Sequence, residues 1–207
     1  MRFERVFKRE DQESFAALSG DWNPIHVDSV AARRLLFGEV VVHGIHTLLW
    51  ALDRFCTIVR TPIIIRRISA NFLSPVFLNH KVVCTINDND FPNICVSVQA
   101  NDEICVELDM IVERMAVSNC SVHRRVRERR EPSTLSFEEI QLSEGQVPLG
   151  FDSSILSKLF PNFSKCLDLH QVAIFLASTE IVGMRCPGMH SIFNMLSLTF
   201  ADCESVP

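Results

Sequence analysis

The sequence predicts an α+β fold in which a curved antiparallel sheet wraps one long buried helix. The helix is indicated at residues 44–59, where apolar side chains recur at helical spacing until Pro62, a residue that cannot continue a helix. Four β-rich stretches follow between residues 63 and 113, separated by short turn-like breaks. A buried helix followed by successive antiparallel strands favours a sheet that curls around that helix.

The shorter elements are predicted from capping residues and hydrophobic periodicity. One short helix is expected at residues 11–18, since Ser19-Gly20 provides a helix stop, and another at residues 28–36, where Asp28 can cap the first turn. The four strands are expected at residues 63–73, 80–87, 93–100 and 103–113.

A second, shorter pattern of the same kind occurs near the end of the sequence. Residues 167–182 are again apolar at helical spacing, and a strand is indicated at residues 191–200. The alternation of residues 68–72 matches that of residues 196–200, including the final phenylalanine. We interpret this match as a weak internal duplication whose second copy is incomplete.

Composition and charge exclude several classes of protein. The 207 residues carry a net charge of −5, which provides no positive field for nucleic acid or an anionic membrane surface. The eight cysteines include no C-x-x-C pair, so a zinc ribbon or a thioredoxin-like site is unsupported. The charged start of the chain is unlike a signal peptide, and no apolar run approaches the roughly 18 residues of a membrane span. We therefore expect a cytoplasmic protein with reduced thiols.

The most informative segment is Ser19-Gly20-Asp21-Trp22-Asn23-Pro24-Ile25-His26, which is followed further along by His43-Gly44. The Asn-Pro turn can fold the side chains of Asp21 and His26 toward one point, where they could share a proton and a water molecule. Gly44 lies at the start of the buried helix, where unpaired N–H groups could polarise a carbonyl oxygen. Together these residues predict proton transfer beside a carbonyl group.

The spacing G-D-x-N-P-x-H, then sixteen residues, then H-G resembles the signature of the MaoC-like, or hydratase-2, branch of the hotdog-fold enzymes. Residues 15–20 and 72–76 are similar to that family, and residues 187–193 and 196–200 are similar to its post-helix strand. The resemblance implies a hotdog fold with two paired units. It also implies a place in fatty acid metabolism, as a hydro-lyase that reversibly hydrates trans-2-enoyl-CoA to (R)-3-hydroxyacyl-CoA.

The resemblance also implies roles for individual residues. Asp21 and His26 would form the catalytic dyad, and the N–H of Gly44 would stabilise an enolate-like oxygen. Asn23 and His43 are expected at substrate-binding positions, with Asn23 orienting the loop of the dyad. The family implies no metal or redox cofactor, an acyl-CoA or acyl-carrier-protein thioester as substrate, and a homodimer.

The sequence accordingly predicts three parts: residues 1–115 as the catalytic hotdog domain, residues 116–150 as a charged linker, and residues 151–207 as a partial, non-catalytic second hotdog unit. The linker contains five arginines within residues 124–130. They indicate either a solvated connector or a site for CoA phosphates or an acidic carrier protein. Two alternatives therefore remain open: a dehydratase of carrier-bound polyketide or lipid intermediates, and a non-catalytic acyl-thioester-binding or assembly subunit.

Overall fold

The computed structural model describes residues 1–115 and 122–201. They form a six-stranded sheet in the order β1-β3-β4-β5-β2-β6, and every neighbouring pair of strands is antiparallel. The strands are β1 (Arg2–Val6), β2 (Ile63–Phe72), β3 (Lys81–Asn87), β4 (Asn93–Ala100), β5 (Glu103–Arg114) and β6 (Met195–Thr199).

One long helix, α4 (Gly44–Val59), lies against this sheet, and eleven of its sixteen residues are buried. Its apolar side chains share one core with the inward-facing residues of the strands, which confirms the predicted α+β architecture. The other helices are α1 (Arg9–Ser19), α2 (Pro24–Val27), α3 (Ser29–Ala32), α5 (Phe137–Leu142), α6 (Ser153–Leu159), α7 (Phe163–Cys166) and α8 (Leu169–Glu180), the last continued by a π-helical turn at Ile181–Arg185.

The predicted helix at residues 28–36 is wrong in extent. Pro24 starts a helical turn earlier, the Asp28 side chain caps α3 separately, and the chain leaves the helix after Ala32. Strand β1 was not predicted, because the charged residues that alternate along this edge strand weaken its apolar pattern. No helix of the described residues is long and apolar enough to cross a membrane.

The linker, expected as either a solvated connector or a site for CoA phosphates or an acidic carrier protein, contains both helical and buried residues. Its described part contains α5, which is capped by Ser136. Arg127 in the same linker is buried, with only 8% of its surface exposed. The beginning of the linker, residues 116–121, lies outside the described residues.

The two similar segments of the sequence are neighbours in the sheet. In the proposed duplication Ser69 corresponds to Ser197, and these two serines are direct partners where β2 pairs with β6. Ile68, which corresponds to Leu196, faces Leu198, and Ala70, which corresponds to Leu198, faces Leu196. This is the register of two equivalent strands related by a local two-fold axis, and it brings α8 beside α4.

Gln171 of α8 joins the second half of the chain to an irregular point of β2. The pairing of β2 with β5 shifts register between Ile65 and Arg67. The Gln171 side chain accepts a hydrogen bond from the Ile65 N–H at 3.0 Å and donates one to the Ile65 carbonyl at 2.6 Å. The buried amide therefore satisfies both backbone groups of a residue that lies beyond the end of β6.

We expect Gln171→Leu to lower the free energy of unfolding by roughly 2–6 kcal/mol, because it leaves two buried backbone groups without partners at about 1–3 kcal/mol each. Gln141→Leu, on the exposed helix α5, is the matched control. Urea denaturation of both variants measures the difference, and equal stabilities would contradict the role given to Gln171.

Candidate active site

The loop that carries Asp21 is shaped by the end of α1. Gly20 adopts a left-handed conformation with φ of 81°, and its N–H bonds the Ala16 carbonyl to close the helix. The Ser19 hydroxyl then accepts a hydrogen bond from the Asp21 N–H at 3.2 Å. In turn, Asp21 Oδ1 accepts one from the Asn23 N–H at 3.2 Å. Local hydrogen bonds thus turn the Asp21 side chain inward, where it is only 2% exposed.

Asn23 attaches this loop to the second half of the chain. Its Oδ1 accepts a hydrogen bond from the Ile25 N–H, which caps α2. Its Nδ2 lies 3.0 Å from the Gly183 carbonyl, 3.2 Å from that of Gly188 and 3.3 Å from that of Met189. The fully buried Asn23 amide therefore fixes the position of the loop and does not line the cavity.

The Asp21 carboxylate lies against the end of α8. The Thr179 hydroxyl donates a hydrogen bond to Asp21 Oδ2 at 2.6 Å. Gly183 approaches the same carboxylate so closely that a Cβ atom at this position would overlap it. The second half of the chain therefore supplies both a hydrogen-bond donor and the space that the carboxylate occupies.

His26 is held in one tautomer by the backbone. Its Nδ1 lies 2.7 Å from the Val41 carbonyl, and a carbonyl oxygen can only accept, so Nδ1 carries the hydrogen. In the neutral ring Nε2 then has a free lone pair and can act as a base. The ring stacks on that of His43, with centroids 3.9 Å apart.

His43 lies behind the cavity wall in this structure. It is fully buried, with Nδ1 2.8 Å from Gln12 Oε1 and Nε2 2.9 Å from the Asp21 carbonyl. Neither His43 nor Asn23 lines the cavity, and their substrate-binding roles stay predictions. Both residues support the loop that carries Asp21 from behind.

Asp21, His26 and Gly44 line one cavity of about 280 Å³. Gly44 begins α4, so its N–H has no acceptor within the helix, and a Cβ there would lie only 3.0 Å from the Phe72 ring. The remaining wall comes from both halves of the chain and includes Thr47, Val76, Thr179, Val182, Gly183 and Phe193.

Burial shifts the pKa values of the two titratable groups toward each other. Loss of solvation raises the pKa of the Asp21 carboxyl above its ordinary value, although His26 and the Thr179 hydroxyl oppose this rise. Loss of solvation also lowers the pKa of His26, and here the Asp21 charge opposes the change. Groups with converging pKa values can exchange protons through a shared water molecule at little cost.

Asp21 and His26, together with His43, form the one cluster among the described residues that could hold a metal ion. Ligating atoms of Asp21, His26 and His43 all lie within 4.8 Å of one another. Both ring nitrogens of His43 have hydrogen-bond partners, however, and Nδ1 of His26 is hydrogen-bonded to the Val41 carbonyl. A metal would have to displace bonds that hold the loop, so the arrangement favours proton transfer.

Sequence reasoning missed Thr179 and Gly183. Thr179 is a polar residue that follows the apolar stretch of residues 172–177 in α8 and is buried, and that was the available signal. Nothing in the sequence places this helix end against Asp21, because 158 residues separate the two side chains.

Comparison with known proteins identifies the family of this chain. The family model described as the MaoC like domain matches residues 2–107, which is about half of the chain. The chain belongs to the MaoC-like domain family. The matched residues include Asp21, His26 and Gly44, and they extend through strands β1 to β4 of the sheet.

One curated relative of this MaoC-like chain matches a short segment of it. A mitochondrial 3-hydroxyacyl-[acyl-carrier-protein] dehydratase of Arabidopsis thaliana is 46% identical over 44 residues, which are 21% of this chain and 26% of that protein. The matched segment thus spans about a quarter of that relative.

Solved structures show the fold. A MaoC domain protein dehydratase from Chloroflexus aurantiacus superposes with a TM-score of 0.57 at 11% identity, covering 93% of this chain and 72% of the other. The (R)-hydratase from A. caviae involved in PHA biosynthesis gives 0.48 at 25% identity, covering 56% and 93%. The Chloroflexus similarity reaches both halves of this chain and confirms the predicted hotdog fold.

Gly183→Ala should displace the Asp21 carboxylate, because the added methyl group would occupy the carboxylate's position. A displacement of about 1 Å at a catalytic group can cost about 100-fold in rate, so we expect kcat to fall by that order. Gly145→Ala is the control, since no atom lies within 4 Å of that added group. Unchanged kcat in both variants would show that Asp21 does not need this site.

Proposed function

We propose that the protein reversibly hydrates trans-2-enoyl-CoA to (R)-3-hydroxyacyl-CoA, with Asp21 and His26 as the catalytic dyad. The observation that supports this proposal is the shared cavity, into which the Asp21 carboxylate, the His26 ring and the start of α4 at Gly44 all open. Proton transfer beside a polarised carbonyl is the chemistry that hydration of an enoyl thioester requires.

In the hydration direction, Asp21 and His26 hold a water molecule beside the β-carbon of the substrate. His26 Nε2 accepts a proton from this water as the water oxygen bonds to the β-carbon. The electron pair of the double bond moves toward the thioester oxygen, where the Gly44 N–H stabilises the negative charge. The α-carbon then takes a proton from the dyad, and dehydration follows the same steps in reverse.

In this proposal residues 151–207 act as a non-catalytic partner unit that completes the site of residues 1–115. Thr179 and Gly183 support this role through their contacts with Asp21.

The homodimer stays a prediction, and because β6 occupies one edge of β2, a second copy would have to use another surface. Light scattering of the purified chain measures the oligomeric state.

A second candidate is dehydration of the same group on a carrier protein. The Arabidopsis relative, named for an acyl-carrier-protein substrate, favours it. Comparing kcat/KM for one acyl group carried by CoA and by a carrier protein decides between the two. Binding of both without turnover would instead support the non-catalytic alternative. Cytoplasmic localisation stays a prediction.

Replacing Asp21 with Asn or His26 with Gln should lower the hydration rate of a short enoyl-CoA by roughly 100- to 10,000-fold, the usual contribution of a general acid or base. Asp88→Asn and His80→Gln change the same residue types outside the cavity and are the controls. Near-normal turnover in the two dyad variants would overturn the assignment.

The pH dependence follows from the raised pKa of Asp21. If the ionised carboxylate is the active form, kcat/KM should fall with decreasing pH at values above the ordinary aspartate pKa of 3.8.

A raised carboxyl pKa also means that the folded state loses stability as pH rises through it. Asp21→Asn should therefore unfold, in a thermal melt at neutral pH, at the same temperature as the wild type or a higher one.

A further inference from the structure

The arginine-rich part of the linker presents alternate residues to the catalytic loop. Arg125, Arg127 and Arg129 contact groups at or next to this loop, whereas the apolar Val126 between them is 71% exposed. Arg127 is buried and Arg125 is half-buried, so charged side chains lie inward beside an exposed apolar one, which is the reverse of a solvated connector. The linker is therefore built against the site.

Glu180, the last residue of α8, is the centre of this arrangement. Its carboxylate forms an ion pair with Arg127, whose side chain is 2% exposed. Arg125 donates to both carboxylate oxygens at 3.1 and 3.3 Å, and Arg185 donates to Oε1 at 2.7 Å. Because Glu180 already occupies the anion position, the inward-facing Arg125 and Arg127 are not presented to a phosphate of CoA.

Arg127 also packs against the loop that carries Asp21, residues 20–23. A Cβ atom on Gly20 would lie 2.8 Å from Arg127 Cδ. Arg127 Nη2 donates to the Gly150 carbonyl at 3.1 Å. Next along the linker, the Arg129 guanidinium lies over the Trp22 ring, 5.2 Å from its centroid. The linker thus contacts the residues on both sides of Asp21.

We propose that Arg127 is a positioning residue for Asp21. It packs beneath Gly20 on one side, and on the other it pairs with Glu180, the neighbour of the Thr179 that donates to the carboxylate. Asp21 lies between the loop at Gly20 and the end of α8 at Glu180. By contacting both, Arg127 keeps the distance between them constant. Removing it leaves Glu180 with Arg125 and Arg185, so the carboxylate is not left unpaired. This inference rests on the proposed function, because the position that it fixes is that of the aspartate of the dyad.

The test compares Arg127→Met and Arg127→Lys with Arg124→Met in the full chain. Arg124 is the matched control because its side chain is 76% exposed and pairs with Asp152 away from the site. With a short enoyl-CoA and below the unfolding temperature, we expect Arg127→Met to lose roughly 10- to 100-fold in kcat, in line with a catalytic group displaced by up to about 1 Å. KM should change less than about threefold because the residue does not line the cavity.

Two further measurements separate positioning from a general loss of stability. The acid limb of the kcat/KM profile should move to higher pH in Arg127→Met, because a displaced Asp21 loses the Thr179 hydrogen bond that lowers its pKa. Arg127→Lys retains the charge and should recover part of kcat. A lower rate with an unchanged pH profile, or a rate equal to that of Arg124→Met, would overturn the inference.

Hydrogen exchange makes the inference testable without turnover. Amides of residues 19–23 should exchange faster in Arg127→Met than in Arg124→Met and the wild type. If the wild type hydrates no enoyl thioester, the proposed function fails, and the exchange measurement alone then decides whether Arg127 holds the loop. Equal exchange in the three proteins would contradict the inference whether or not the wild type is active.

Discussion

The burial of the Asp21 carboxylate is the constraint on which the rest of the site depends. Removing a carboxylate from water costs several kcal/mol unless hydrogen bonds and nearby charges compensate. Here the compensation comes from the Thr179 hydroxyl, the Asn23 N–H and the adjacent His26 ring. Two of these groups lie within five residues of Asp21 in the sequence, whereas Thr179 belongs to a helix in the other half of the chain. A functional carboxylate therefore requires both halves to be correctly placed.

The placement of α8 is accordingly held by several independent contacts. Gln171 bonds the backbone of β2, the β2–β6 pairing adds the strand that follows the helix, and Asn23 bonds the turn after it. Each contact joins the half that carries Asp21 and His26 to the half that contains Thr179. The sheet register at Ser69 and Ser197 makes the support resemble a partner unit placed by a local two-fold axis.

The sequence predicted those features that depend on neighbouring residues. The spacing of Asp21, His26 and Gly44 could be recognised because a turn and a helix start bring them together. Thr179 and Gly183 could not, since their meeting with Asp21 is decided by long-range packing. His43 is the neighbour of Gly44, which lines the cavity, yet it lies outside the cavity wall, because a helix start directs consecutive side chains to different sides. In the linker, the alternation of Arg125, Arg127 and Arg129 was visible, but alternation alone does not indicate what the arginines face.

We infer that the second half of the chain completes the site around Asp21, and the Thr179 hydroxyl is the contact that tests this most directly. Thr179→Val removes this hydroxyl while keeping the side chain's shape, and Ser178→Ala, whose hydroxyl bonds only within α8, is the control. The most direct measurement is the pH profile of enoyl-CoA hydration by both variants. We predict a kcat lowered by about tenfold or more in Thr179→Val, the scale of a lost hydrogen bond to a charged group, with the acid limb moved to higher pH. A Thr179→Val profile that coincides with that of Ser178→Ala would contradict the claim.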